Sequence, residues 1–259
     1  MLAVRIATAT ALIVAFVAAL FLLPRPWWAA LAGLFVAAGG YEWARLCQAG
    51  RAGSWLYAFV LAGAFGALYV LGLPFALIAI VVASIFWIVA VPLWLARGVA
   101  TQHRFALIAA GAIVLVPAGY ALTTLDPGQV LAALALVWVA DTAAYFVGRK
   151  WGRRKLAPAI SPGKTWEGAC GGVAAAMAYA IIGGTFLLGS AGWPAYLVVA
   201  ALLAAISIVG DLFESAAKRQ AGVKDSGALL PGHGGIMDRI DSATAVLPVA
   251  ALLVALPRP

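Results

Sequence analysis

Between Gly210 and Asp241 the chain gathers Asp211, Glu214, Asp225, Asp238 and Asp241, five of its nine acidic residues. Lys218, Arg219, Lys224 and Arg239 stand among them. Carboxylates are hard oxygen ligands suited to magnesium, and Lys and Arg suit phosphate oxygens. The combination points to chemistry on phosphates assisted by a divalent cation. Asp211, Glu214, Ser215 and Lys218 recur at i, i+3, i+4 and i+7, so a helix presents them on one face. Asp238 and Asp241 are three apart, with Arg239 between them, and share a face if that segment is helical. A metal bound by Asp211, Asp238 and Asp241 would offset their mutual repulsion. Capping of a helix N-terminus is the alternative role for one of the last two. Gly232, Gly234 and Gly235 flank His233, and glycines let backbone amides approach and cradle an anion. His233 is expected to shape that loop or to contact a phosphate, not to act as a general base.

Further ionisable groups lie upstream. Asp141 sits inside an apolar run, eight residues before Arg149, which is about 12 Å along a helix. A lone carboxylate at that depth is expensive and should face a polar cavity. Arg149-Lys150-Trp151-Gly152-Arg153-Arg154-Lys155 is a basic cluster that either anchors the chain against anionic lipid or holds an acidic substrate. Ser161-Pro162-Gly163-Lys164-Thr165 superficially suggests a nucleotide-binding P-loop. That motif needs a glycine where this chain has Pro158, and a preceding strand, so the reading fails. Thr165 is expected to cap the following helix, with Glu167 in its first turn.

The elements that position these groups are membrane helices. The chain is 65% hydrophobic and 10% charged, against about 25% charge for an ordinary soluble domain. Only a bilayer accepts this composition. Nine apolar spans of near 20 residues are expected, at about 4–23, 27–47, 54–73, 75–96, 104–123, 128–148, 168–189, 193–213 and 241–257. The fold class is therefore all-α, a polytopic membrane protein with a cytosolic N-terminus. Residues 1–123 form a scaffold of five spans and 124–259 a catalytic region, with cytosolic loops at 149–167 and 214–240, in one continuous domain. The first span is read as a helix and not as a cleaved leader, because Pro24-Arg25-Pro26 follows it in place of a small-residue cleavage site. With nine spans, fifteen of the seventeen Lys and Arg fall on one face and only Arg25 and Arg258 on the other. That bias puts the N-terminus and both long loops in the cytosol and the C-terminus outside. The net charge of +8 belongs to this asymmetry, not to a nucleic-acid surface, which would need a basic soluble face. Cys47 and Cys170 form no CxxC and are expected to be free thiols. No internal repeat of the transporter kind is evident.

The segment from Ser215 to Asp241 resembles the signature of phosphatidate cytidylyltransferases, also called CDP-diacylglycerol synthases. The residues that carry the resemblance are Ser215, Lys218-Arg219, Lys224-Asp225, Gly227, Pro231, His233-Gly234-Gly235, and Asp238-Arg239 with Asp241. Ala217 departs from the pattern, which prefers a larger apolar residue there. Upstream segments extend the resemblance over roughly the C-terminal half, while the N-terminal half matches only in being hydrophobic. The resemblance implies transfer of a cytidylyl group from CTP to phosphatidate. It also implies magnesium, with a second, monovalent cation beside it, and a homodimer in the inner membrane. It assigns Asp141 to a polar cavity and Lys164, in a Ser-Pro-x-Lys-Thr-x-Glu-Gly segment, to phosphate. With Arg149, Lys150, Ser161, Thr165, Glu167, Glu214, Ser215, Gly234 and Gly235, these are the expected substrate-binding residues. Asp211, Lys218, Arg219, Lys224, Asp225, His233, Asp238, Arg239 and Asp241 are the expected catalytic residues. A CTP-dependent lipid-alcohol kinase, which would need a general base for a hydroxyl, and an ion-coupled transporter are the competing readings.

Overall fold

The computed structural model describes residues 2–97, 104–187, 193–227 and 234–256. Nine helices run through them in the expected order. They are α1 (Leu2–Leu22), α2 (Arg25–Leu46), α3 (Gly50–Leu71), α4 (Phe75–Ala96), α5 (Arg104–Thr124), α6 (Pro127–Trp151), α7 (Trp166–Leu187), α8 (Trp193–Gln220) and α9 (Met237–Ala255). Among the described residues, α3, α4, α5, α6 and α8 are each long and apolar enough to cross a bilayer. Large apolar side chains such as Leu22, Leu34, Phe59, Val70 and Phe105 are exposed on the outer surface. A soluble fold would bury them, whereas lipid solvates them. The chain is an all-α membrane protein.

Local signals in the sequence place the helix ends. Pro26 occupies the first turn of α2, where its missing N–H is no loss. Gly72, at φ +62°, ends α3. A capping box opens α6: the Asp126 amide donates to Gln129 Oε1 at 3.0 Å, and Pro127 takes the first helical position. At the other end of the site, Gly222 adopts φ +71° and closes α8, with its amide donating to the Arg219 carbonyl. Helix α8 continues past residue 213 to Gln220, as the stripe spacing through Lys218 requires, and α9 begins at Met237, before residue 241. In each case the polar turns at the membrane edge stay helical because their side chains find partners across the site.

One feature was absent from the sequence reading. Residues 155–165 form a two-stranded antiparallel hairpin, β1 (Lys155–Ala157) and β2 (Ser161–Thr165). Strands this short show no alternation to read. The hairpin forms because Ile160 at its tip buries against Leu212 and Ala216 of α8.

Small residues let the helices of the C-terminal half approach closely. Gly168, Gly171 and Gly172 of α7 lie against Ala140, Ala144 and Val147 of α6, and a Cβ at Gly172 would stand 2.8 Å from the Ala140 carbonyl oxygen. Gly210 of α8 does the same against α9, where a Cβ would come within 2.9 Å of the Asp241 carbonyl oxygen. That crossing sets the polar end of α8 beside the first turns of α9. The apolar core is continuous from Leu20 to Ala251, and α9 packs on α4 and α5 as well as on α8. Phe213 fills its centre next to the site, with the rings of Trp43, Phe86, Trp87 and Trp94 at 5.7, 5.6, 5.6 and 5.4 Å.

Candidate active site

The polar stripe expected on α8 is present. The Ser215 hydroxyl donates to Asp211 Oδ1 at 3.2 Å, and on the same face Glu214 pairs with Lys218. Glu214 is almost fully buried, so its ammonium partner compensates a charge that water does not reach. Lys218 Nζ also donates to Asp238 Oδ1 at 2.6 Å, and so bridges α8 to α9.

Asp238 is saturated. Besides Lys218, its Oδ2 accepts from the Ser226 amide at 3.0 Å, the Ser226 hydroxyl at 3.0 Å and the Gly235 amide at 2.8 Å. Burial works against its charge. The Lys218 hydrogen bond, the Gly235 and Ser226 amides and the Lys218 charge outweigh burial and hold the carboxyl at about 2. Position N-cap of α9 is Ile236, whose own side chain makes no cap, and Asp238 crosslinks α9 to α8 through Lys218. Gly234 has φ +80°, and a Cβ there would meet Asp238 Oδ2 at 2.7 Å. Gly234 is thus required by backbone conformation and by the closeness of this carboxylate.

A second group forms where Gly210 permits the close crossing. Lys164, carried on β2, pairs with Asp211. Asp141 on α6 and Asp241 on α9 both feel the charges of Asp211 and Lys164. Asp241 Oδ1 accepts only the neighbouring Ser242 amide, at 2.7 Å, among the described bonds. Lys164 and Asp211 thus join β2 to α8, while Asp141 and Asp241 line one cavity. Among the described residues no three His, Cys, Asp or Glu side chains close into a metal cage. Asp211 and Asp241 are suitable oxygen donors for a magnesium ion that completes its shell with substrate phosphates. Asp238 is more heavily engaged, by Lys218, Ser226 and Gly235, and Asp211, Asp238 and Asp241 do not close into one metal-ligating group among the described residues.

The hairpin is docked by several expected site residues. Arg219 Nε donates to the Ile160 carbonyl at 3.2 Å and its Nη1 to the Val223 carbonyl at 3.3 Å. The Glu167 carboxylate accepts the Arg153 amide at 3.0 Å and the Arg154 amide at 3.2 Å. Bonds from its own amide and from that of Arg153 hold this exposed carboxyl below its usual range. Thr165 Oγ1 accepts the Gly168 amide at 3.1 Å, which is the expected cap of α7. Ser161 pairs with Ala157 in the hairpin. These residues hold Lys164 in place.

Other expected residues lie further out. Lys224, Asp225 and Arg239 are exposed, and Arg239 lines the cavity described below. Arg149 donates to the Tyr145 hydroxyl at 3.1 Å, and Lys150 lies over the Trp151 ring, so neither reaches the carboxylates. His233 falls outside the described residues.

Two residues were missed, Glu42 and Ser226. Glu42, on α2, is 2% exposed and accepts from the Ser226 hydroxyl, the Ile236 amide and the Met237 amide. A lone carboxylate in an apolar span was visible in the sequence, as at Asp141, and carried the same signal.

A cavity of about 520 Å³ opens beside the carboxylates. Its walls are mostly apolar, from Phe16, Ala118, Leu134 and Trp138 among others, and its ionisable lining residues are Asp141, Asp238, Arg239 and Asp241.

The sequence matches the cytidylyltransferase family from residue 3 to residue 256. The chain belongs to that family. Among its cytidylyltransferase relatives, the phosphatidate cytidylyltransferase of Pseudomonas aeruginosa is 41% identical over 283 residues, covering 98% of this chain and 97% of the relative. Those of Haemophilus influenzae and Bacillus subtilis are 50% identical over 117 residues and 45% over 124. They cover 44% and 48% of this chain, and 41% and 46% of their own lengths. The full-length match corrects one expectation. The resemblance extends beyond the C-terminal half, over residues 3–256.

Proposed function

We propose that this chain transfers the cytidylyl group of CTP to phosphatidate, giving CDP-diacylglycerol and pyrophosphate. The observation that carries the reading is the cavity, mostly apolar along its walls and lined also by Asp141, Asp238, Asp241 and Arg239. A ligand that fits it has apolar chains and a phosphate at one end. The family and its phosphatidate cytidylyltransferase relatives agree with that ligand.

The phosphate monoester of such a lipid has a second pKa of about 6, so it is mostly dianionic at neutral pH. Its oxygen needs no general base. It attacks the α-phosphorus of CTP, a phosphorus–oxygen bond forms, and the bond to the bridging oxygen breaks with its electron pair leaving on pyrophosphate. Catalysis is then positioning and charge neutralisation. Lys164 is the ammonium nearest the carboxylate group and turns from Asp211 to a phosphate oxygen when substrate arrives. Arg239 and Lys224 hold the nucleotide's outer phosphates. Lys218 and Arg219 keep α8, α9 and the hairpin in place. Asp211 and Asp241, with Asp141 beside them, would hold magnesium, which supplies neutralisation of the α-phosphate and of the departing pyrophosphate. The reading places the site at the cytosolic face of the inner membrane, in a homodimer, with lipid entering sideways and CTP from the cytosol.

The experiment is turnover of labelled CTP by purified protein in micelles containing phosphatidate and magnesium. Labelled CDP-diacylglycerol and pyrophosphate should form in equal amounts. A phosphorylated lipid alcohol in their place would establish the kinase reading. No turnover of either lipid would favour the transporter. Exchange of labelled pyrophosphate into CTP should require phosphatidate, and robust exchange without it would reveal a covalent cytidylyl-enzyme.

A further inference from the structure

We infer that Glu42, on the second helix of the otherwise apolar half, is a positioning residue for cytidylyl transfer. It closes the signature loop and, through the Ser226 hydroxyl, fixes Asp238. The inference rests on the function proposed above. Its partners are 184 to 195 residues away in the chain. Glu42 Oε1 accepts the Ile236 amide at 3.1 Å, and Oε2 accepts the Met237 amide at 2.9 Å and the Ser226 hydroxyl at 3.0 Å. Two of these donors are amides at the N-terminus of α9, where a negative charge is favoured.

Ser226 is shared: its single hydroxyl proton lies between Glu42 Oε2 and Asp238 Oδ2, each 3.0 Å from Oγ, and divides between them. Glu42, Ser226, Asp238, Lys218 and Glu214 thus form one line of contacts from α2 through the loop and α9 to α8. Two small residues of the signature gain a reason. A Cβ at Gly227 would stand 2.8 Å from Glu42 Cδ, and one at Gly235 2.7 Å from the same atom. The loop bears glycine at both places because the carboxylate from α2 fills the space. Every donor around Glu42 points at it, so glutamine must turn its amide nitrogen against either the Ile236 or the Met237 amide.

The test compares Glu42→Gln, Ser226→Ala and the double variant with the wild-type protein. Rates with CTP and phosphatidate are divided by the number of CTP-binding sites counted by equilibrium dialysis, which removes any misfolded fraction. Ser226→Ala deletes only the bridging hydroxyl, and Asp238 keeps the Ser226 and Gly235 amides. It should lower kcat about 10-fold, equivalent to about 1.4 kcal/mol, with KM for CTP within about twofold. Glu42→Gln should lower kcat at least about 100-fold. The double variant should fall short of the product of the two losses, because both act on one hydrogen bond. Gly227→Ala, by displacing the carboxylate, should behave like Glu42→Gln. If Glu42→Gln binds no CTP, Ser226→Ala decides. Unchanged kcat per site in Ser226→Ala, or activity lost only in proportion to CTP sites, overturns the inference. A wild-type protein that binds CTP but makes no CDP-diacylglycerol overturns the proposed function first, and this inference with it.

Discussion

Replacing Asp238 by Asn separates an anchor from a metal ligand. The carboxylate is 9% exposed and has Lys218 Nζ on one oxygen and three donors on the other. Asparagine offers one acceptor and one donor. Turned one way, its nitrogen faces the Ser226 and Gly235 amides. Turned the other way, it faces the Lys218 ammonium. The second arrangement is cheaper, because Lys218 still has Glu214. The loss is then one charge-assisted hydrogen bond with a donor left against a donor, about 2–3 kcal/mol. In a chain of this size that lowers Tm by roughly 4–12 °C. Thermal unfolding in micelles, followed by tryptophan fluorescence, should show it. Turnover should fall as well, because α8 and α9 lose their bridge. Asp241→Asn should do the reverse. Its single described partner is an amide that asparagine oxygen accepts equally well, so Tm should hold while turnover disappears. A wild-type Tm for Asp238→Asn, or matching losses of Tm in both variants, would refute the division of roles.

Two further outcomes are expected. Tags at the N-terminus and in 149–167 and 214–240 should report the cytosol and a C-terminal tag the outside, as the distribution of Lys and Arg requires; a cytosolic C-terminus would contradict nine spans. Glu167 is held below its ordinary value of 4.5 first by its own amide and then by that of Arg153, so its contribution is present above about pH 4.5 and is lost as pH falls through the lowered value. Hydrogen exchange at the Arg153 and Arg154 amides should accelerate on acidification beyond the intrinsic rate, and equal protection at about pH 6 and about pH 3 would contradict the docking of the hairpin by Glu167.

The helix order was legible because each apolar run is near the length a bilayer demands and is broken by Pro or Gly, as at Gly72 and Pro127. The acidic stripe was legible from its i, i+3, i+4, i+7 spacing. Spacing could not tell Asp238 from Asp241. They differ in what lies across from them, Lys218 twenty positions away on α8 and Ser226 in the intervening loop, and that is decided by the α8–α9 crossing at Gly210. The hairpin was hidden because its stability comes from Ile160 docking on another element. Arg219 read as a phosphate ligand because its charge was visible and the Ile160 carbonyl was not.

Phe213 and the four rings around it have a mechanical consequence. The residue lies between Asp211 and Glu214 on α8, and three of its ring neighbours, Phe86, Trp87 and Trp94, come from α4, while Trp43 adjoins Glu42 on α2. Sliding a helix by one residue moves it about 1.5 Å and turns its side chains by about 100°. Such a step would withdraw Phe213 from its socket as it carried Asp211 and Lys218 away from their partners. The aromatic socket therefore fixes the rotational phase of the acidic stripe. When a polyanionic nucleotide pulls on that stripe, the load passes to buried dispersion contacts, which salt does not screen. Helices with no reacting group of their own thus set the direction in which the reacting groups point.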